Sequence, residues 1–124
     1  MAALTKDRNT PKRDGEFVVV TPKDGVTIYA GSIVAIDSNG ELVPASDTAG
    51  IRVIGRAENY SEGQPVTCRK GVFGYENDGS ITSADIGSKC YIVDDQTVGK
   101  TTTNSIEAGV IFDVDDEGVW VKIN

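Results

Sequence analysis

Two stretches of this chain follow one plan, and the plan admits only short strands and tight turns. Val53-Ile54-Gly55-Arg56-Ala57-Glu58 leads through Asn59-Tyr60-Ser61-Glu62-Gly63 into Val66-Thr67-Cys68-Arg69. Ala108-Gly109-Val110-Ile111-Phe112-Asp113 leads through Asp115-Asp116-Glu117-Gly118 into Val119-Trp120-Val121-Lys122. Each time a glycine sits in or beside an apolar run, an acidic turn ends in glycine, and a Val-x-[Cys/Val]-[Arg/Lys] run returns. Short apolar runs bounded by Asn, Asp, Ser and Gly read as paired strands.

The similarity reaches further back. Gly87-Ser88-Lys89-Cys90-Tyr91-Ile92-Val93-Asp94 matches Gly31-Ser32-Ile33-Val34-Ala35-Ile36-Asp37-Ser38 at an offset of 56. Asn39-Gly40 after Asp37-Ser38 predicts a hairpin with a type I′ turn, because both residues tolerate positive φ. Val98 to Thr102 is the expected hairpin partner of the run ending at Asp94. Glu16–Thr21 and Val26–Tyr29 read as strands on either side of the turn Pro22-Lys23-Asp24-Gly25. The strand ending at Lys70 is expected to run on through Gly71 to Glu76, with Gly71 and Gly74 turning a corner. Asn39, Gly40, Gly55, Gly63, Gly71, Gly109 and Gly118 are the expected turn and corner residues.

No segment sustains a helical period, although Thr82–Gly87 has room for one turn capped by Thr82 or Ser83. The expectation is an all-β chain: a small β-barrel or sandwich built from two weakly similar β-units, with an extended N-terminal arm. The units are Gly31–Lys70 and Gly87–Lys122, closing on each other. The length, 124 residues, suits one domain over 16–124 after an arm over 1–15.

Charge is unevenly spread. Residues 1–14 carry Lys6, Arg8, Lys12 and Arg13 against Asp7 and Asp14, a net of +2; the total is −7, so the remainder carries −9. An acidic body argues against a nucleic-acid groove, which needs clustered Lys and Arg. A basic arm on such a body suits docking on an acidic partner, a neighbouring copy included, and equally suits a solvated tail. No apolar run approaches the roughly 18 residues that span a membrane. Met1-Ala2-Ala3-Leu4-Thr5 leads straight into polar residues without a secretory pattern. Free thiols in a reducing compartment and synthesis in the cytoplasm are therefore expected.

Little in the chain resembles catalytic machinery. It contains no His, which removes the usual general base and the commonest metal ligand. Cys68 and Cys90 alternate with polar neighbours on expected strands, which suits buried packing. Asp94-Asp95 and Asp113 to Glu117 are rich in hard oxygen ligands, but Asp and Asn are also what turns prefer. Asp37-Ser38-Asn39-Gly40-Glu41 resembles the start of a calcium loop, with its Gly too early and no closing Glu at the required spacing. No phosphate-loop spacing occurs. The expectation is no enzyme, no cofactor and no metal. Phe73, Tyr91, Phe112 and Trp120 fall on expected strands, as core or subunit contacts.

The run Val53-Ile54-Gly55-Arg56-Ala57, then Gly63-Gln64-Pro65-Val66-Thr67-Cys68-Arg69-Lys70-Gly71-Val72-Phe73, resembles the central signature of the capsid cement, or head-decoration, proteins of tailed bacteriophages. Ile86 to Asp94 is similar to a later segment of that family, and Ala108 to Ile123 to its closing strand pair. The resemblance covers roughly residues 16–124; it departs at Arg56, where an aliphatic residue is usual, and in the charged arm. It implies a compact β-barrel-like body that assembles as a homotrimer on the capsid exterior of the virion and contacts the major capsid protein, with no direct nucleic-acid or membrane partner. It also implies that the arm orders on the shell, with Lys6, Arg8, Lys12, Arg13, Phe17 and Val18 as capsid-binding candidates. Two other classes share the pattern: a tail, fibre or spike β-module, and a trimeric β-barrel enzyme or ligand-binding protein with an intersubunit site.

Overall fold

The computed structural model describes residues 2–124. Ten strands follow in order: β1 Phe17–Val20, β2 Ile33–Ile36, β3 Leu42–Pro44, β4 Arg52–Ala57, β5 Val66–Arg69, β6 Gly71–Asn77, β7 Lys89–Ile92, β8 Thr97–Gly99, β9 Glu107–Asp115 and β10 Gly118–Ile123. A single 3-10 turn, Ser83–Asp85, follows Thr82. Alternation drives the strands: in β10, Val119, Val121 and Ile123 point inward while Trp120 and Lys122 point out.

The first five strands form one sheet in the order β1-β5-β4-β2-β3, and the last five a closed barrel in the order β6-β10-β9-β7-β8. These are the same order, so the repeat includes β1 and β6, which their sequences do not disclose. The match extends to irregularities. In the first unit the register slips between Val34 and Ala35, leaving Ile54 as the extra residue beside Gly55. In the second it slips between Cys90 and Tyr91, leaving Ala108 beside Gly109. Gly31 N–H donates to Ala57 O (2.8 Å) and Ala57 N–H to Ser32 O (2.9 Å); Gly87, Ile111 and Ser88 repeat this clasp at 2.8 and 2.9 Å.

The two glycines at the bulges share one cause. A Cβ on Gly55 would lie 2.6 Å from the Arg69 carbonyl oxygen, and one on Gly109 would overlap the Lys122 carbonyl oxygen. Neither has positive φ. The requirement is close approach of the bulged strand to the next one, which only a residue without Cβ permits.

The expectation that the units close on each other is corrected: each curls on itself. The second closes through the parallel pairs Glu76↔Thr97 and Asn77↔Val98. The first closes only through the single parallel bridge Pro22↔Leu42, at the equivalent place. Five register-equivalent pairs fill the two interiors: Val34/Cys90, Leu42/Val98, Ala57/Ile111, Val66/Val119 and Cys68/Val121, none more than 1% exposed. The units then pack face to end. Ile33, Ala35, Ala45 and Ile51 of the first unit belong to the hydrophobic cluster that fills the second. Ile33 N–H donates to Asp95 O (2.8 Å), Tyr75 Oη to Gly31 O (3.0 Å), and Asp47 accepts the Thr103 and Asn104 N–H groups at 3.0 and 2.9 Å.

Smaller corrections follow. Val26–Tyr29 is not a strand; only Ile28 bridges, to Ser61, because the facing segment is itself a turn. Gly40 has φ of 78° but Asn39 does not have positive φ, so the hairpin turn is not type I′. The Asp37 carboxylate accepts the Asn39 and Glu41 N–H groups (2.9 and 3.0 Å), which favours a turn closed from Asp37 O to Gly40 N–H. The expected corner at Gly71 is where the chain leaves the first sheet and enters the second.

Candidate functional site

Both thiols are inert. Cys68 and Cys90 are fully buried, and burial pushes their pKa values up to about 11 and about 12. A thiol so placed stays protonated near neutrality and has no access to a substrate. The acidic runs are occupied with backbone. Asp37, Asp94 and Asp115 each accept the N–H two residues on, at 2.9 Å. Among the described residues, no group of three or more His, Cys, Asp or Glu is arranged to hold a metal ion.

The arm is exposed throughout. Residues 2–15 form no strand, and Lys6, Arg8, Lys12 and Arg13 make no ion pair among the described residues. Phe17 and Val18 stand apart from them: both lie in β1, paired with Arg69 and Cys68. Val18 packs on the first core and Phe17 lies under the Arg69 guanidinium, 5.3 Å from ring centroid to Cζ. The candidate residues therefore divide into four on the free arm and two on the body. Gly63 lies in the β4–β5 turn, its N–H donating to Ser61 Oγ (3.1 Å); Gly118 opens β10, its N–H donating to Asp115 Oδ1 (3.2 Å).

The outer faces of the two units differ. On the first, Glu58 accepts from Arg56 Nη2 (2.8 and 3.0 Å) and from Arg69 Nε (2.7 Å), and Arg69 reaches Glu16 at 3.1 Å. The Arg56 guanidinium lies 4.0 Å over the Phe73 ring, which ties the first unit to β6. By register, Val110 and Lys122 take the places of Arg56 and Arg69 on the second unit. There Phe112 is 61% exposed, beside the β9–β10 register slip that follows Trp120. Trp120 lies over Gly74, where no side chain intervenes, and donates its indole N–H to Asp115 Oδ2 (2.9 Å). That bond is the first cause holding the Asp115 carboxyl below its ordinary range.

Trp120 also borders a cleft of about 710 Å³ where the units meet. Tyr29 and Ser32 come from the first unit; Tyr75, Trp120, Glu76, Asp95, Asp115 and Glu117 come from the second. Four carboxylates and no Lys or Arg line it. Asp95 is pushed above the ordinary carboxyl range, first by burial and then by Asp94. Tyr29 stacks obliquely on Tyr60, with ring centroids 5.7 Å apart, and both are exposed. Sequence reasoning did not find this cleft, because its walls come from segments about 45 and 90 residues apart along the chain. The one local signal was Asp115 five residues before Trp120, with Gly74 as the gap under the indole.

No protein-family model, no curated protein and no solved structure matches this chain.

Proposed function

We propose that the chain is a structural virion protein that binds the outer surface of a tailed-phage capsid and stabilises it. The observation that carries the reading is a fully exposed basic arm leading directly into β1, a strand paired along one side only with β5. A segment with no partner of its own gains order when it docks, and its backbone groups are free to add to a strand of the shell. The pre-folded tandem body then bridges shell subunits against the pressure of packaged DNA. Its acidic surface repels DNA and keeps unbound protein soluble. The resemblance of residues 16–124 to cement proteins supports the same reading, and with it a homotrimer on the shell.

The test is calorimetry of expanded, undecorated heads with the intact chain or a chain lacking residues 2–14. The intact chain raises the melting temperature of the heads, and the truncated chain, folded by circular dichroism, does not. Equal stabilisation by both removes the arm from the mechanism. Stabilisation by neither, alongside binding to tails or fibres, moves the chain to another virion role.

A further inference from the structure

We propose that the aromatic, acidic cleft between the two units seats the basic N-terminal arm of a second copy of this chain. The cleft offers Trp120 and Tyr29 as partly exposed ring faces, with Glu76, Asp95, Asp115 and Glu117 around them and no cation in the lining. The Trp120 N–H is already used on Asp115, so what the ring presents is its face, which attracts a guanidinium or ammonium group. Burial, and then the neighbouring Asp94, push the Asp95 carboxyl above its ordinary range, a crowding that an incoming cation relieves.

The arm is the complementary object on the same chain. It carries four cations and two carboxylates over residues 1–14, and Leu4 is 72% exposed with nothing to pack on. Lys6 and Arg8 share one side of an extended segment, so both can address one wall of the cleft. Extended, Leu4 to Gly15 reaches roughly 40 Å, far enough to cross to a neighbouring molecule. Its described residues are exposed along their whole length, so the chain's own cleft does not hold it. Free protein thus associates through arms; a shell that offers a strand competes for the same segment. The inference concerns the unbound protein and does not depend on the capsid reading.

Sedimentation velocity of the full chain, at low and high salt, tests it. The wild type associates at low salt and dissociates as salt screens the contact. Two full-length variants, Glu76→Lys/Glu117→Lys and Lys6→Glu/Arg8→Glu, alter only exposed side chains. Each alone weakens association about tenfold or more. Mixed in equal amounts they re-associate, because reversed arm meets reversed cleft, and the single Trp120 changes its fluorescence on mixing. A monomeric wild type at all concentrations overturns the proposal. So does association that survives both reversals, or a mixture that stays monomeric. Head decoration by the same variants is scored separately, so loss of self-association with retained decoration refutes neither reading by way of the other.

Discussion

The two units share a strand order, a bulge, a glycine and a hydrogen-bonded clasp, yet their outer faces differ. At the register positions of Ile33 and Ala35, both fully buried, the second unit carries Lys89 and Tyr91. Lys89 reaches Glu107 at 3.1 Å, where the first unit has Val53. The apolar version packs onto the neighbouring unit; the ion-paired version faces solvent. The second unit therefore lacks the apolar face by which the first packs onto its neighbour. The β4–β5 face shows the reverse exchange: Arg56 and Arg69, tied through Glu58 in the first unit, give way to Val110 and Lys122 in the second. Inward positions keep the shared fold; outward positions are free to differ.

The comparison breaks most sharply if the units are energetically separate. Leu42 and Val98 occupy the same interior position, both fully buried. Leu42→Ala costs about 3 kcal/mol and Val98→Ala about 2 kcal/mol, the larger side chain losing more. Because Ile33, Ala35 and Ile51 lie in the second unit's cluster, urea unfolding of either variant should stay a single transition. Two resolved transitions would separate the units.

A smaller effect sharpens the shared bulge. Gly55→Ala and Gly109→Ala each destabilise by about 2 kcal/mol, because the new methyl group meets a carbonyl oxygen of the next strand in both units. Urea midpoints read this. Tolerance at one site and not the other shows that only one bulge constrains its unit.

The smallest expected effect lies in acid. Thr82 N–H, and then Lys100 at 3.2 Å, hold the Asp85 carboxyl below its ordinary range. Such a group contributes stability that is present above its unfolded pKa, near about 4, and is lost as pH falls through its lower folded value. Asp85→Asn should lower the urea midpoint at pH 7 slightly, and the difference from wild type should vanish at the acid end. Tyr29 holds the equivalent position in the first unit, so no acid-sensitive counterpart exists there. A gap that persists unchanged into acid assigns the loss to packing.

Much of this architecture is legible in sequence because interior positions repeat. Gly31-Ser32 and Gly87-Ser88 mark the same clasp, and Gly55 and Gly109 the same close approach. β1 and β6 escape notice because Phe17-Val18-Val19-Val20 and Val72-Phe73-Gly74-Tyr75 share only their inward pattern. Mutual closure of the units was the wrong expectation because alternation gives a strand's two faces without saying which face meets a neighbour. Ile33 and Ala35 are as apolar as Val34, and only the fold shows that they cover the second unit. The cleft is invisible for the same reason: Tyr29 and Trp120 meet through the packing of units, and no local pattern encodes that.

The most direct measurement of the proposed capsid role is co-sedimentation of the purified chain with expanded, undecorated heads of a tailed phage whose genome encodes it. The account predicts saturable binding near about three copies per local three-fold, as a symmetric trimer on the shell requires. Absence of binding, with folded protein and intact heads, would contradict it.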